Sequence, residues 1–224
     1  MIDPPSAIEV QEIVDVVQCW GKENFRDFPW RRPRRRWHGL IAEILLQRTR
    51  AENVIPVYRA FIASFPTLKR FAEASVEEIE QIIWPLGLRW RAPLLEALGR
   101  QLYERGRVPT TIDELASLPG VGQYVAASWL SLHGGSRGVL IDSNVVRWIC
   151  RMLGREFDGE TRRKKWLFEI ADQLTPHEKV RDFSYAVLDF TMTICIPHAP
   201  RCEICPVGPR LCTYGGQKQE ALAE

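Results

Sequence analysis

Residues Leu118-Pro119-Gly120-Val121-Gly122-Gln123-Tyr124 place two glycines in a tight break between two short apolar stretches of helical character. Gly120 and Gly122 let the backbone come close to a partner. The turn also opens the helix that follows, whose unsatisfied N–H groups and positive dipole end suit a phosphate. Taken alone, such a turn is a modest signal that favours a phosphate site over a plain connection between helices. What surrounds it decides the fold. Apolar residues recur at helical spacing, as in Val10, Ile13, Val14 and Val17, or Leu94, Leu95, Leu98 and Leu102, and strand-like alternation is scarce. Ser6 with Glu9, Ser75 with Glu78 and Thr111 with Glu114 each read as a capping box, in which hydroxyl and carboxylate satisfy orphaned backbone donors at a helix start. The spacing predicts helices over 7–22, 38–48, 51–65, 75–84, 91–105, 111–117, 123–134, 143–153, 161–174 and 181–194. The fold class is all-α. Connections as short as Pro85-Leu86-Gly87 and His133-Gly134-Gly135 require any two domains to be closely packed.

Composition bounds the function. The chain has 224 residues, 46% of them hydrophobic and 26% charged, enough to build a substantial core. No apolar run approaches the ~18 residues of a membrane span, so no membrane partner is expected. The start, Met1-Ile2-Asp3-Pro4-Pro5-Ser6, has neither the basic nor the apolar stretch of a signal peptide, and a cytoplasmic protein is expected, nucleoid-associated if the source is prokaryotic. A net charge of +2 weighs against nucleic acid at first sight. Basic residues are nevertheless concentrated in Arg31-Arg32-Pro33-Arg34-Arg35-Arg36, flanked by Trp30 and Trp37. That run reads either as a solvated loop or as a phosphate-binding edge that would confer strong salt dependence.

Four of the six cysteines form the series Cys195-x6-Cys202-x2-Cys205-x6-Cys212, with Pro197, Pro200, Pro206 and Pro209 among them. In a reducing compartment such clustering points to a metal rather than to disulfides. Four thiolates suit a [4Fe–4S] cluster or a structural zinc ion, and the long first gap favours the cluster over a zinc ribbon with its two close pairs. Cys19 and Cys150 sit in apolar helical contexts and are expected in the core, as are Trp129 and Trp148. Asp142, after Val139-Leu140-Ile141, is placed to cap a helix. Glu43 is an isolated acid in Ala42-Glu43-Ile44-Leu45-Leu46, where burial would fit it for acid–base work. The four histidines, His38, His133, His177 and His198, form no recognisable constellation.

From Phe28-Pro29-Trp30-Arg31 to Cys212, the Leu118–Gly122 hairpin, the loop leading to Asp142 and the cysteine quartet occur in the order that resembles the helix-hairpin-helix DNA glycosylase superfamily, which includes endonuclease III. The resemblance implies two helical domains: a barrel at 28–137 that contains the hairpin, and a discontinuous domain of 1–27 plus 138–224 with a [4Fe–4S] loop at 195–212, held by Cys195, Cys202, Cys205 and Cys212. The active site would lie in the cleft between them. It further implies that Asp142 and Glu43 are the catalytic acids, and that Gln47 enters the gap left by a flipped base. Gly120, Val121, Gly122 and Arg31 would contact DNA. Superfamily members with lysine two residues after the second hairpin glycine attack the sugar as an amine and form a Schiff base. Here Tyr124 occupies that position, which implies a monofunctional enzyme in which tyrosine shapes the pocket.

Phe28-Pro29-Trp30-Arg31, Pro85-Leu86-Gly87-Leu88 and Leu188-Asp189-Phe190 look closer to the G·T and G·U mismatch thymine/uracil branch than to the MutY-type adenine branch, whose members usually carry a further domain and Gly-Tyr-Tyr where Gly87-Leu88-Arg89 stands here. Two departures stand out: the final cysteine gap is six residues where the family usually has five, and Asp142 precedes Ser143-Asn144 rather than Gly-Asn or Ala-Asn. The expected partner is double-stranded DNA carrying a mismatched or damaged base, met by a monomer. The alternatives are an adenine glycosylase and a non-catalytic DNA-structure-binding module. The presence of both Glu43 and Asp142 speaks against the module, because docking to phosphate gains nothing from acids.

Overall fold

The computed structural model describes residues 5–223, so Met1-Ile2-Asp3-Pro4, read above for the absence of an export signal, lies outside it. The described residues contain no strand. Their helices are α1 (Ala7–Glu23), α2 (Arg36–Leu46), α3 (Ala51–Ser64), α4 (Leu68–Ala72), α5 (Val76–Ile83), α6 (Arg91–Arg105), α7 (Ile112–Ala116), α8 (Gln123–Trp129), α9 (Ser143–Met152), α10 (Lys165–Leu174), α11 (Val180–Thr193) and α12 (Thr213–Ala223). Among the described residues no helix is long and apolar enough to cross a membrane.

The contacts divide the chain into two units. One is Asp27–Ser136; the other joins the described residues up to Arg26 with those from Arg137 onward.

In the Asp27–Ser136 unit, α2 to α8 enclose a core that includes Trp37, Leu40, Phe61, Phe71, Leu95 and Trp129. Trp37 stacks on Phe71 with ring centroids 5.5 Å apart. Burying each such side chain contributes about 1.5–3 kcal/mol. The Ser75–Glu78 capping box of α5 is complete in both directions. At α7 the Thr111 hydroxyl accepts from the Glu114 N–H at 3.3 Å, while the Glu114 carboxylate faces Arg107 at 3.4 Å, so only the first half of the expected box forms. The five-residue α4 is too short to show a period and was not expected; Thr67 caps it, accepting from Arg70 N–H at 3.1 Å. The expected helix at 123–134 is α8 followed by a π-helical turn, Leu130–Gly134.

In the other unit, α1 and α9 to α12 surround Ile13, Val17, Ile149, Leu167 and Phe190. The capping box of Ser6 and Glu9 closes the start of α1 in both directions. Trp20 and Trp148 each meet the Phe190 ring edge-on at 5.7 Å. The helix expected at 161–174 breaks at Lys164 into a 3-10 turn, Thr161–Arg163, and α10, because the Asp158 carboxylate gathers the N–H groups of Glu160 and Thr161 at 2.9 and 2.8 Å into a local turn. Cys150 is wholly buried, and burial raises its thiol pKa to about 11. Cys19, expected in the core, is exposed. It follows Val17 by two positions, which on a helix is about 200° round from the buried stripe of Ile13 and Val17.

Candidate active site

Glu43 sits in the middle of α2, flanked by buried Ile41, Ala42, Ile44 and Leu45, and is itself 6% exposed. A carboxylate so placed must be hydrogen-bonded. Its Oε2 accepts from the Ser128 hydroxyl at 2.7 Å, and its Oε1 lies 3.1 Å from His133 Nε2. Ser128 lies in the last turn of α8 and His133 belongs to the π turn. In a continuous α-helix Leu132 would stand one turn beyond Ser128; the wider π turn places His133 there instead. Two further bonds lock this end of the unit. Trp129 Nε1 donates to the Arg36 carbonyl at 3.1 Å, and the Arg36 guanidinium donates to the Gly134 carbonyl at 2.6 Å while lying over the Trp129 ring.

The hairpin joins α7 to α8. Gly120 has φ +74, which favours glycine in the turn. Val121 was expected to face DNA, but its side chain is 4% exposed and its N–H donates to the Leu118 carbonyl at 3.1 Å, so its donor is engaged inside the turn. Gly122, Gln123 and Tyr124 are exposed at the start of α8. Gln47, at the C-terminal end of α2, donates through Nε2 to the Gly120 carbonyl at 3.2 Å. Arg91 is 1% exposed and secures the same helix end, donating to the Leu45 carbonyl at 3.0 Å and to the Gln47 carbonyl. Burial, with Arg48 nearby, lowers its pKa to about 10. Arg31 was expected on the basic edge. It is 3% exposed with its guanidinium over Phe28, which leaves Arg32, Arg34, Arg35 and Arg36 as the exposed members of the run. Packed on that ring, Arg31 does not present its guanidinium at the surface.

Asp142 belongs to the other unit, where it caps α9. Its Oδ1 accepts from the N–H groups of Asn144 and Val145 at 2.9 and 2.8 Å, and its Oδ2 accepts from the Asn144 side-chain amide at 2.9 Å. Asn144 is held in turn by Arg147 Nη1 at 3.0 Å, and Arg147 also donates to the carbonyls of Cys195 and Thr191 at 2.9 and 2.7 Å. The carboxylate is thus fixed in orientation at the positive end of a helix. Neither Asn144 nor Arg147 was singled out from the sequence: a spacing of three on α9 lets them pair, but the carbonyls that hold Arg147 lie far along the chain.

Cys195, Cys202, Cys205 and Cys212 line a single cavity with Trp148 and Arg151. Burial raises the thiols of Cys202, Cys205 and Cys212, the last to about 11, and the neighbouring sulfurs push in the same direction. Backbone N–H groups of Val207 and Gly208 at Cys205, and of Gly215 at Cys212, pull the other way, and Arg151 Nη1 stands 3.7 Å from Cys195 Sγ. Donors directed at buried sulfurs fit a set of thiolates bound to a positive centre. Among the described residues no three histidine, cysteine or acidic side chains are gathered closely enough for a metal ion. The quartet therefore surrounds a cavity without closing on one point.

The turn at Gly120, with α7 before it and α8 after it, defines a helix-hairpin-helix protein. More narrowly, the chain belongs to the HhH-GPD superfamily of base excision DNA repair proteins, whose sequence profile matches residues 41–173. It is 36% identical to the thymine/uracil-DNA glycosylase of Pyrobaculum aerophilum, over 97% of each chain. An adenine DNA glycosylase of Homo sapiens is 34% identical over 84% of this chain, which spans 37% of that protein. A thermostable thymine-DNA glycosylase of known structure matches the fold with a TM-score of 0.86 and 34% identity, over 94% of this chain and 98% of that one.

Proposed function

We propose that this protein is a monofunctional DNA glycosylase that hydrolyses the N-glycosidic bond of thymine or uracil opposite guanine. The base preference is supported by the relative named a thymine/uracil-DNA glycosylase, similar along 97% of both chains. The observation that carries the chemistry is Asp142, a carboxylate held by two backbone N–H groups and the Asn144 amide. A base inside a duplex cannot present its glycosidic bond, so the target is extruded, and a mispaired base costs less to extrude. As the C1′–N bond breaks, positive charge grows on the sugar. Asp142 stabilises that charge and orients the attacking water. Glu43 assists departure of the base, directly or through water. Tyr124 has no amine, so water rather than the protein completes the reaction.

Gly120 and Gly122 bring the hairpin backbone to a DNA phosphate. Gln47 exchanges its bond to the Gly120 carbonyl for the gap left by the extruded base. Cys195, Cys202, Cys205 and Cys212 hold a [4Fe–4S] cluster, a reading supported by the one cavity that all four cysteines line. When bound, such a cluster ties the end of α11, the 195–212 loop and the start of α12 together through its thiolate ligands.

Duplexes carrying G·T, G·U, A·G or A·8-oxoguanine, incubated with the protein and then treated with alkali, test the reading. Abasic sites are expected in the first two, without a borohydride-trapped adduct. Asp142→Asn should retain duplex binding and lose excision by at least about a hundredfold. Cleavage confined to the adenine duplexes would establish the adenine reading instead, and binding without cleavage on every duplex a docking module.

A further inference from the structure

Glu43, Ser128 and His133 form a buried polar group whose last two members have no part in the hydrolysis as described. Their burial is nearly complete: the His133 side chain is 0% exposed and that of Glu43 7%. His133 Nδ1 has no hydrogen-bond partner. On that side the ring packs against Gly39, one turn before Glu43 on α2, where a Cβ would stand 2.5 Å from Cγ and 2.7 Å from Nδ1. A neutral imidazole carries one N–H. On Nδ1 it would be a buried donor with nothing to receive it, whereas on Nε2 it points at Glu43 Oε1. The Ser128 hydroxyl donates to the other oxygen. Both Glu43 oxygens are therefore acceptors, each with its own donor.

Three polar side chains in an apolar interior add less to stability than apolar side chains of similar volume would, and retaining them needs another reason. Here the chain also provides a glycine that makes room for the ring and a π turn that aims it.

We propose that Ser128 and His133 are positioning residues that fix the plane of the Glu43 carboxyl group and hold it towards the departing base, or towards a water beside it. This rests on the role given to Glu43 above. The structure assigns both residues a share in the rate of excision and none in the binding of DNA.

Single-turnover excision from a G·U duplex, with duplex affinity measured separately, separates the two. His133→Leu and Ser128→Ala are each expected to slow excision by about ten- to a hundredfold at unchanged affinity, the effect of losing one hydrogen bond to a charged group. His133→Gln places an amide donor near the position of Nε2 and should recover most of the rate. In a Glu43→Gln background, His133→Leu should add little, since its effect passes through that carboxylate. Ser128→Ala removes a single oxygen and carries the test should His133→Leu not fold. Excision at the wild-type rate in His133→Leu or Ser128→Ala would overturn the positioning role, as would a His133→Leu loss of equal size with Gln at 43. Absence of excision by the wild-type protein would overturn the functional reading and this inference with it.

Discussion

His38 is 4% exposed, meets the Trp37 ring edge-on at 4.2 Å and has no partner for Nε2. Burial first, then the charges of Arg35 and Arg34, lower its pKa from 6.5 to about 4. Between those values the unfolded chain binds a proton that the folded one refuses. The contribution of His38 is thus fully present above about pH 6.5 and is lost as pH falls towards 4, by up to about 3 kcal/mol at 1.36 kcal/mol per pH unit. Urea unfolding of the wild type and of His38→Gln at pH 7 and 4.5 should show the smaller pH dependence in the variant; equal dependence would exclude a buried neutral His38. At the scale of single residues, Glu43 was legible as an acid among apolar neighbours on a helix. Its partner His133 was not, because residues five apart do not share a face of an α-helix, and only the π turn brings His133 beneath Ser128. Arg31 misled for the opposite reason. It belongs to a basic run, yet Phe28 just ahead of it provides a ring on which it packs.

Helix α1 lies on α11 with Gly21 against Ala186, so close that a Cβ added at 21 would overlap the Ala186 methyl. Neither contact is the flexible tip of a long side chain, so the helices themselves must part. Gly21→Ala is expected to destabilise this unit by about 1–3 kcal/mol, read as a lower urea midpoint, despite the better helix propensity of alanine. An unchanged midpoint would mean that α1 shifts freely along α11. Long elements were legible because their apolar residues repeat several times and their ends carry caps, as α1 and α5 show. Short ones were not. In α4 five residues complete barely one turn, and at Lys164 the break depends on a carboxylate, Asp158, that lies outside the helix it interrupts.

Over the whole molecule, charge and cysteine count are informative only once they are located. A net charge of +2 hides the exposed Arg32, Arg34 and Arg35, while six cysteines resolve into four around one cavity, one in the core and one on the surface. The purified protein is expected to be brown and to contain iron with acid-labile sulfide. Removing the iron should lower the thermal midpoint, because the end of α11, the 195–212 loop and the start of α12 then lose their common attachment. Stoichiometric zinc in a colourless protein would reassign the site. The hairpin, Asp142 and the quartet could be ordered along the sequence. The anchoring of Asp142 through Asn144 and Arg147 could not, since it depends on carbonyls of a segment almost fifty residues further on. The seating of α1 on α11 also bears on synthesis. Gly21 leaves the ribosome well before Ala186 exists, and at about 5–20 residues per second α1 waits roughly 10–30 s for its partner. During that interval the Asp27–Ser136 unit is complete in sequence and free to fold. A chaperone or the ribosome surface therefore has an apolar helix face, that of Ile13, Val14 and Val17, to shield until the last third of the chain emerges.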